Sequence, residues 1–420
     1  MKKSLLFLLA ISLEATTIQT LLSAIKNTPD YKLDTIMTKE VKIEKKNIQN
    51  SLYPKLNLTA SAEHFSIPTA MRSLPPTESA KITATNGSLP FSQNIYRIGF
   101  NFSMPLFVKE IYDKKRKMNY IFASTKYTQK INLLKKQASL ITLISNLNYS
   151  FKLKEALIQQ KNSILTTYKS LKVGVDVGRI PEFKLLRLQD SLNQIDIKIA
   201  NLNQNIAKLQ ADIFKLTKQN ITTPIKLYAT KITKGEFISI KPLKEKLKAD
   251  KYDIKASKDK NIPKVELKIS ANRAFGKAYN TNDMIGENYA SGGVYITWAI
   301  FNKQNNSQIE KSKVQYLKTS LNIEKLTKDL TADIKKIDQL LFEINKSIKL
   351  TLNSLALKKE LLKSAKVAFK MDRMSVDEYL KYEDDLATTK ANLASLVATK
   401  NSLIAQKALI YGKNLEKVFK

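Results

Sequence analysis

The chain has 420 residues, is 43% hydrophobic and carries a formal net charge of +34. It has no cysteine and a single histidine, His64, which excludes disulfides, thiol catalysis, cysteine-based zinc sites and metal sites with two histidines. The charge first suggests a nucleic-acid-binding protein, but the lysines are spread along every helical stretch, so we interpret them as solvated helix faces.

The first fifteen residues, 1–15, have the pattern of a secretory signal peptide. Two lysines precede the apolar run Leu5–Leu13, and small residues predict cleavage after Ser12 or Ala15. This run is too short to span a membrane as a helix, and no later stretch approaches about 18 consecutive apolar residues. Any membrane-spanning part is therefore expected to consist of strands, since only helices and closed barrels satisfy their backbone polar groups in lipid.

Residues 16–216 form the first of two predicted repeats. A helical stretch leads into two strands, at about 55–63 and 96–106, in which large apolar residues recur at every second position. The segment between these strands, Glu63–Ile95, is rich in proline, serine and threonine, which indicates a long hairpin loop.

A long helical hairpin is predicted after the second strand. From Val108 to Val177 there are about 70 residues with one glycine and no proline, and a helix of this length would extend roughly 105 Å. Glycine and proline then predict a turn at 174–181. In the return helix, apolar residues from Leu185 to Leu216 alternate in steps of three and four, which is typical of a left-handed coiled-coil seam.

The second predicted repeat, residues 243–411, has the same order of elements and follows a linker at 217–242. Its strands are expected at about 264–272 and 292–301, and its helical hairpin turns at 371–375. The basic tail that follows, residues 412–420, is expected to be frayed.

The two repeats correspond residue by residue over a long span. A shift of about 194 positions needs no insertion and matches the following pairs: Gly99 with Gly293, Phe107 with Phe301, and Arg179 with Arg373. A repeat of this length indicates one structural unit made twice.

The alternation in the strands predicts which side chains would meet lipid. The candidate lipid-facing residues are Phe100, Phe102, Val294, Ile296 and Trp298, while their polar neighbours would face a lumen. The smallest outer-membrane barrels need about eight strands, so four strands cannot close alone. The chain is therefore expected to form a homo-oligomer.

The order of these elements, repeated twice, resembles the TolC family of outer-membrane efflux proteins over essentially the whole mature chain. The resemblance is seen in the proline-led strand start Leu52–Leu58, the strand end Pro105–Phe107 and the turn Val177–Gln189. It implies an α+β membrane protein with a two-fold internal repeat, in which three copies of four strands form a 12-stranded β-barrel continued by a periplasmic α-helical barrel.

The resemblance also implies a function, a location and partners. The family members act as exit ducts of tripartite efflux pumps or type I secretion systems in the outer membrane of Gram-negative cells. A homotrimer of this kind would work with a periplasmic adaptor protein and an inner-membrane transporter, would contact outer-membrane lipid, and would bind no nucleic acid.

By the same resemblance, the periplasmic entrance lies at the two helix turns. The family's first entrance aspartate falls on Glu378, beside Asp377, whereas its second acidic position is Lys381 here. Its clamp carboxylate on the first turn falls on Lys184, and its clamp arginine falls on Met374. The candidate entrance residues are Glu378, Asp377, Lys381, Arg373, Lys184 and Arg179.

These departures mean that any latch between the turns must use other partners than the family's. Glu378 is expected to pair with its own Lys381, three residues further along the helix, or with the next helix.

Other classes of protein fit the sequence less well. A periplasmic adaptor is the alternative, but adaptors usually have one hairpin flanked by lipoyl-like β modules, not two hairpins and four amphipathic strands. A basic coiled-coil protein that binds nucleic acid is disfavoured by the signal peptide and the strand pairs. No glycine-rich phosphate loop or Gly-x-Ser-x-Gly elbow is present, so we expect no enzyme, cofactor or metal site.

Overall fold

The computed structural model describes residues 17–420, so the predicted signal peptide and its two cleavage sites lie outside the described residues. The helices are α1 Ile18–Ala24, α2 Pro29–Asn50, α3 Pro76–Ala84, α4 Lys109–Asp176, α5 Glu182–Thr217, α6 Lys241–Asp259, α7 Lys303–Lys370, α8 Val376–Ile410 and α9 Leu415–Val418. The strands are β1 Lys55–Ala70, β2 Phe91–Phe107, β3 Lys264–Lys277 and β4 Met284–Thr297.

The chain divides into two compact units. A sheet unit consists of Thr38–Thr125 and Leu243–Asn322. A helical unit takes in the remaining described residues, namely those up to Met37 together with Lys126–Pro242 and Ile323–Lys420. Among residues 17–420, no helix is both long and apolar enough to cross a membrane.

The sheet unit contains one antiparallel sheet in the order β1-β2-β3-β4. Residues that pair across neighbouring strands share a face, and Phe102 pairs with Leu56 on one side and with Ile269 on the other. The next residue, Asn101, pairs with Asn57 and Ser270 on the opposite face. The sheet is therefore amphipathic, as the alternation in the sequence requires.

The apolar face of the sheet is exposed, because the rest of the described chain leaves most of it uncovered. Phe100 is 55% exposed, Val294 59% and Ile296 70%, and all three share the face of Phe102. Within the described part of the chain, the strands β1 and β4 each pair on one side only, so the sheet also has two open edges.

The strands differ in extent from the ranges expected from the sequence. The strands β1, β2 and β3 are longer, because pairing continues towards the hairpin tips beyond the clear alternation. The fourth strand begins earlier, at Met284, and ends at Thr297. Trp298, expected on this strand, lies just beyond it, and its indole Nε1 donates a hydrogen bond to the carbonyl oxygen of Asn261 at 2.9 Å.

The segment Glu63–Ile95 is not a simple loop, because it contains the helix α3. Pro76 occupies the first turn of this helix, where its missing N–H leaves no bond unmade. The guanidinium of Arg72 binds Glu78 of α3 at 2.5 Å and Glu287 of β4 at 2.6 Å. These ion pairs tie the tip of the first hairpin to the second.

The core of the helical unit is formed by the coiled-coil seam of α5 and its neighbours. The fully or almost fully buried side chains include Leu21, Leu22, Leu140, Ile144, Leu188, Ile195, Ile213 and Phe419. The expectation that the tail frays is wrong, because Leu415 and Phe419 are completely buried. The backbone of Lys420 also exchanges hydrogen bonds of 2.9 and 3.0 Å with Tyr228 of the predicted linker.

We expect Leu188→Ala to cost about 2–5 kcal/mol of stability, because it removes a fully buried side chain from the seam and leaves a cavity. Leu188→Met is the matched control, since it conserves volume and should cost less than about 1.5 kcal/mol. Thermal unfolding followed by circular dichroism measures both changes. Equal, small losses would show that the seam is not packed at this position.

Candidate entrance at the two helix turns

The first turn, between α4 and α5, depends on two glycines. The N–H groups of Arg179 and Ile180 both donate to the carbonyl of Gly174, at 2.8 and 3.2 Å. A Cβ at position 174 would lie 2.5 Å from Cδ1 of Ile180, so any larger residue would force the Ile180 side chain to move. Gly178 has a φ of +69°, in the left-handed region that glycine adopts without strain.

The second turn, between α7 and α8, is made without glycine. Asp372 takes the left-handed conformation here, with a φ of +57°, which aspartate tolerates better than most residues. The N–H of Arg373 then donates to the carbonyl of Ala368 at 3.0 Å and closes the end of α7. Each turn thus has one left-handed residue, followed by a new helix.

The start of α8 is a capping box formed by Ser375 and Glu378. The Oγ of Ser375 accepts a hydrogen bond from the N–H of Glu378 at 3.2 Å. In return, Oε2 of Glu378 accepts from the N–H of Ser375 at 2.9 Å and from its hydroxyl at 2.8 Å. These hydrogen bonds, first the one from the Ser375 backbone, hold the pKa of Glu378 below its usual value.

Glu378 does not pair with Lys381 within the described chain, and its pairing with the next helix stays a prediction. The carboxylate is already engaged by the first residue of its own helix, and Lys381 is exposed without an ion pair in the described chain. The sequence did contain the signal, because a serine followed three residues later by glutamate is the capping-box pattern.

Two ion pairs join the first turn to the second. Nζ of Lys184 lies 2.5 Å from Oδ1 of Asp372, and the guanidinium of Arg187 lies 3.6 Å from Oδ2 of Asp377. Both place a cation on α5 opposite an anion at the second turn. The carboxylate that the resemblance implies at Lys184 is thus replaced by a cation, and its partner is an anion on the other turn.

Of the six candidate entrance residues, the structure places two, Lys184 and Asp377, in these ion pairs. Sequence reasoning missed their partners Asp372 and Arg187. Arg179 and Arg373 are exposed at the two turns, and neither forms an ion pair with any residue in the range 17–420.

A buried polar network lies deeper in the helical unit, centred on Tyr379. Its ring is fully buried and stacks on Phe369, with the ring centroids 4.8 Å apart. Its hydroxyl donates to Oε1 of Glu383 at 2.7 Å and lies 3.0 Å from the hydroxyl oxygen of Thr167 on α4. Burial, together with the neighbouring carboxylate of Glu383, raises the pKa of Tyr379 to about 12.

The same network extends to α7. Glu383, which is only 2% exposed, also accepts a hydrogen bond from the hydroxyl of Ser163. The Nζ of Lys366 in turn donates to Oγ of Ser163 at 3.2 Å. Three helices, α4, α7 and α8, are therefore connected by hydrogen bonds just inside the turns. No group of three or more histidine, aspartate or glutamate side chains that could hold a metal ion occurs among residues 17–420.

Comparison with solved structures shows which fold this chain has. No protein-family model and no curated protein matches the sequence. The outer-membrane channel CmeC of Campylobacter jejuni matches with a TM-score of 0.76 and 16% identity, over 94% of this chain and 85% of that one. The outer-membrane protein VceC of Vibrio cholerae matches with a TM-score of 0.76 and 12% identity, over 94% and 96%.

A third match is the outer-membrane channel MtrE of Neisseria gonorrhoeae, described in its open state. Its TM-score is 0.75 and its identity 14%, over 95% of this chain and 89% of that one. These likenesses confirm, at the level of the fold, the resemblance to the TolC family of outer-membrane channels. The chain has the α+β fold of that class, in nearly its whole length.

We expect Tyr379→Phe to cost about 1–3 kcal/mol, because it removes one buried hydrogen-bond partner from Glu383 and one from Thr167. Tyr382→Phe is the matched control on the same helix. A raised pKa in the folded state means that the stabilisation is present below the unfolded value and is lost as pH rises towards 12. The difference in Tm between wild type and Tyr379→Phe should shrink over this alkaline range, and a constant difference would contradict the network.

Proposed function

We propose that this chain is one subunit of a trimeric outer-membrane channel, which serves as the exit duct of a tripartite efflux pump or type I secretion system. The observation that supports this most is the amphipathic sheet, with an exposed apolar face and two open edges. The fold shared with outer-membrane channels over 94–95% of the chain supports it as well.

Assembly would satisfy both the edges and the face. If β4 of one copy pairs with β1 of the next, three copies give a closed barrel of about twelve strands, above the minimum of about eight. Closure leaves no unpaired strand edge, which lipid would not tolerate. A periplasmic adaptor is less compatible with this sheet, because in the aqueous periplasm no lipid would cover its apolar face.

The two faces of the sheet fit lipid outside and water inside. The apolar face would meet outer-membrane lipid through Phe100, Phe102, Val294 and Ile296. The opposite face bears Asn57, Asn101 and the ion pair between Arg97 and Glu63, all of which a water-filled lumen can solvate. Trp298 follows the end of β4, where it would lie near the membrane–water interface, a common place for tryptophan.

The two helix turns would form the periplasmic entrance, with three copies of each residue round one axis. The carboxylate of Glu378 accepts its hydrogen bonds from Ser375 at the start of the same helix, so it adds a negative charge that is largely satisfied locally. Arg179, Arg373 and Lys381 would add exposed cations to the same region. The entrance is then near neutral or mildly anion-selective, and a periplasmic adaptor and an inner-membrane transporter would open and drive it.

We expect Phe100→Arg to reduce trimer assembly strongly, because each charged side chain on the lipid face near the middle of the membrane costs roughly 2–4 kcal/mol. Asn101→Arg, one residue away on the opposite face, should assemble like wild type. Light scattering in mild detergent gives the fraction of trimer for each variant. Equal assembly of the two variants, or a monomeric wild type, would refute the proposed arrangement.

We expect single channels in planar bilayers to show little block by a trivalent cation added on the side of the helix turns. Lys381→Asp should create block, because it places a second acidic ring about one helical turn from Glu378. Lys381→Gln is the control, since it removes the cation without adding an acid. Strong block of the wild-type channel, or no block after Lys381→Asp, would show that these residues do not line the entrance.

A further inference from the structure

A cleft of about 920 Å³ in the helical unit plays no part in the proposed entrance. It lies between α4, α7, α8 and the linker residues Pro224–Leu227. Its volume is within the range of about 300–1,000 Å³ that is usual for small-molecule sites. Its apolar wall includes Leu227, Leu355, Leu393, Ala394, Val397 and Ala398.

The polar part of the lining is strongly cationic. Four lysines line the cleft, namely Lys152, Lys226, Lys359 and Lys390, against one carboxylate, Glu155. That carboxylate is already paired with Lys152 at 2.8 Å. Within residues 17–420, the other three lysines have no carboxylate partner in the salt-bridge geometry, so the lining has an excess of positive charge.

Lys390 is the lysine of this lining whose charged form is disfavoured by its surroundings. It is half-buried, and its Nζ donates to the neutral amide oxygen of Gln159 at 2.5 Å. Burial lowers the pKa of Lys390, and the positive charge of Lys359 lowers it further, whereas the carboxylates of Glu155 and Glu383 act more weakly in the opposite direction. An anion placed between these two ammonium groups would offset both effects.

A second, independent feature of the lining is Ser145. The residue is only 1% exposed, and its hydroxyl oxygen has no hydrogen-bond partner among residues 17–420 although it lines the cleft. Buried hydroxyls are almost always hydrogen-bonded, and an orphan next to a cavity indicates a missing partner. A ligand that fills the cleft could supply this partner.

We propose that this cleft binds a small, mostly apolar organic anion, with its carboxylate between Lys359 and Lys390 and its apolar body against Leu393 and Val397. The apolar wall and the unpaired lysines together define this class of ligand, since an inorganic anion would leave the wall wet and a neutral apolar compound would leave the lysines unpaired. The site is independent of the proposed channel function.

Binding at this position would join the two helical hairpins. The helix α4 belongs to the first hairpin, whereas α7 and α8 belong to the second, and all three line the cleft. A bound anion would therefore stabilise the packing of one hairpin on the other, and we expect the Tm to rise with ligand concentration.

The experiment titrates the full chain in detergent with three probes of the same shape: 2-naphthoate, the neutral 2-naphthamide and the cationic 2-naphthylmethylammonium. Isothermal calorimetry measures the three affinities. We expect 2-naphthoate to bind at least about tenfold more tightly than the amide, as one charge-assisted hydrogen bond would give, and the cation not to bind. Equal affinities for the three probes, or no binding of 2-naphthoate, would overturn the proposal.

Variants locate the binding in the cleft. Lys359→Gln and Lys390→Gln should each weaken 2-naphthoate about tenfold and leave 2-naphthamide unchanged, which also controls for correct folding. Lys349→Gln, an exposed lysine on α7 outside the cleft, should have no effect. Ala394→Trp should fill the cleft and abolish binding of both probes. Binding of 2-naphthoate that survives the two lysine variants, or Ala394→Trp, would place the site elsewhere.

Discussion

Backbone N–H and C=O groups at the two edges of the four-stranded sheet need hydrogen-bond partners, and this requirement limits how the chain can pack and assemble. The edge strands β1 and β4 present unpaired N–H and C=O groups, and the face that bears Phe100 and Ile296 is exposed. Water can hydrogen-bond to the strand edges but leaves the apolar face unfavourably exposed. Lipid covers the apolar face but cannot hydrogen-bond to the strand edges. Closure with further copies of the same sheet, as in the proposed trimer, would satisfy both at once.

Much of this fold could be predicted from the sequence because it depends on periodicity. The alternation around Phe102 and the steps of three and four from Leu185 to Leu216 are local patterns, and they translate directly into a sheet face and a helix seam. The strand ends could not be predicted in this way. They depend on tertiary contacts at the hairpin tips, such as those of Arg72 with Glu78 and Glu287, which involve residues up to 215 positions apart.

The candidate entrance shows the same division between local and distant information. The capping box of Ser375 and Glu378 is a four-residue pattern, so it could have been recognised from the sequence. The pair of Lys184 and Asp372 joins residues 188 positions apart, and the resemblance had suggested a carboxylate at the first of them. In this chain the cations lie on α5 and the anions at the second turn, so the two turns attract each other.

The free-energy contributions of the individual contacts indicate where the two helical hairpins are held together. The pairs of Lys184 with Asp372 and of Arg187 with Asp377 involve side chains that are largely exposed on at least one side, and such pairs contribute about 0–1 kcal/mol each. The hydrogen bond from Tyr379 to Glu383 is buried, and losing one partner of such a bond costs about 1–3 kcal/mol. The turns can therefore separate at low cost, whereas separation at the level of Tyr379 must break a buried network. Opening of the proposed entrance would thus begin at the turns and be resisted one to two helical turns further in.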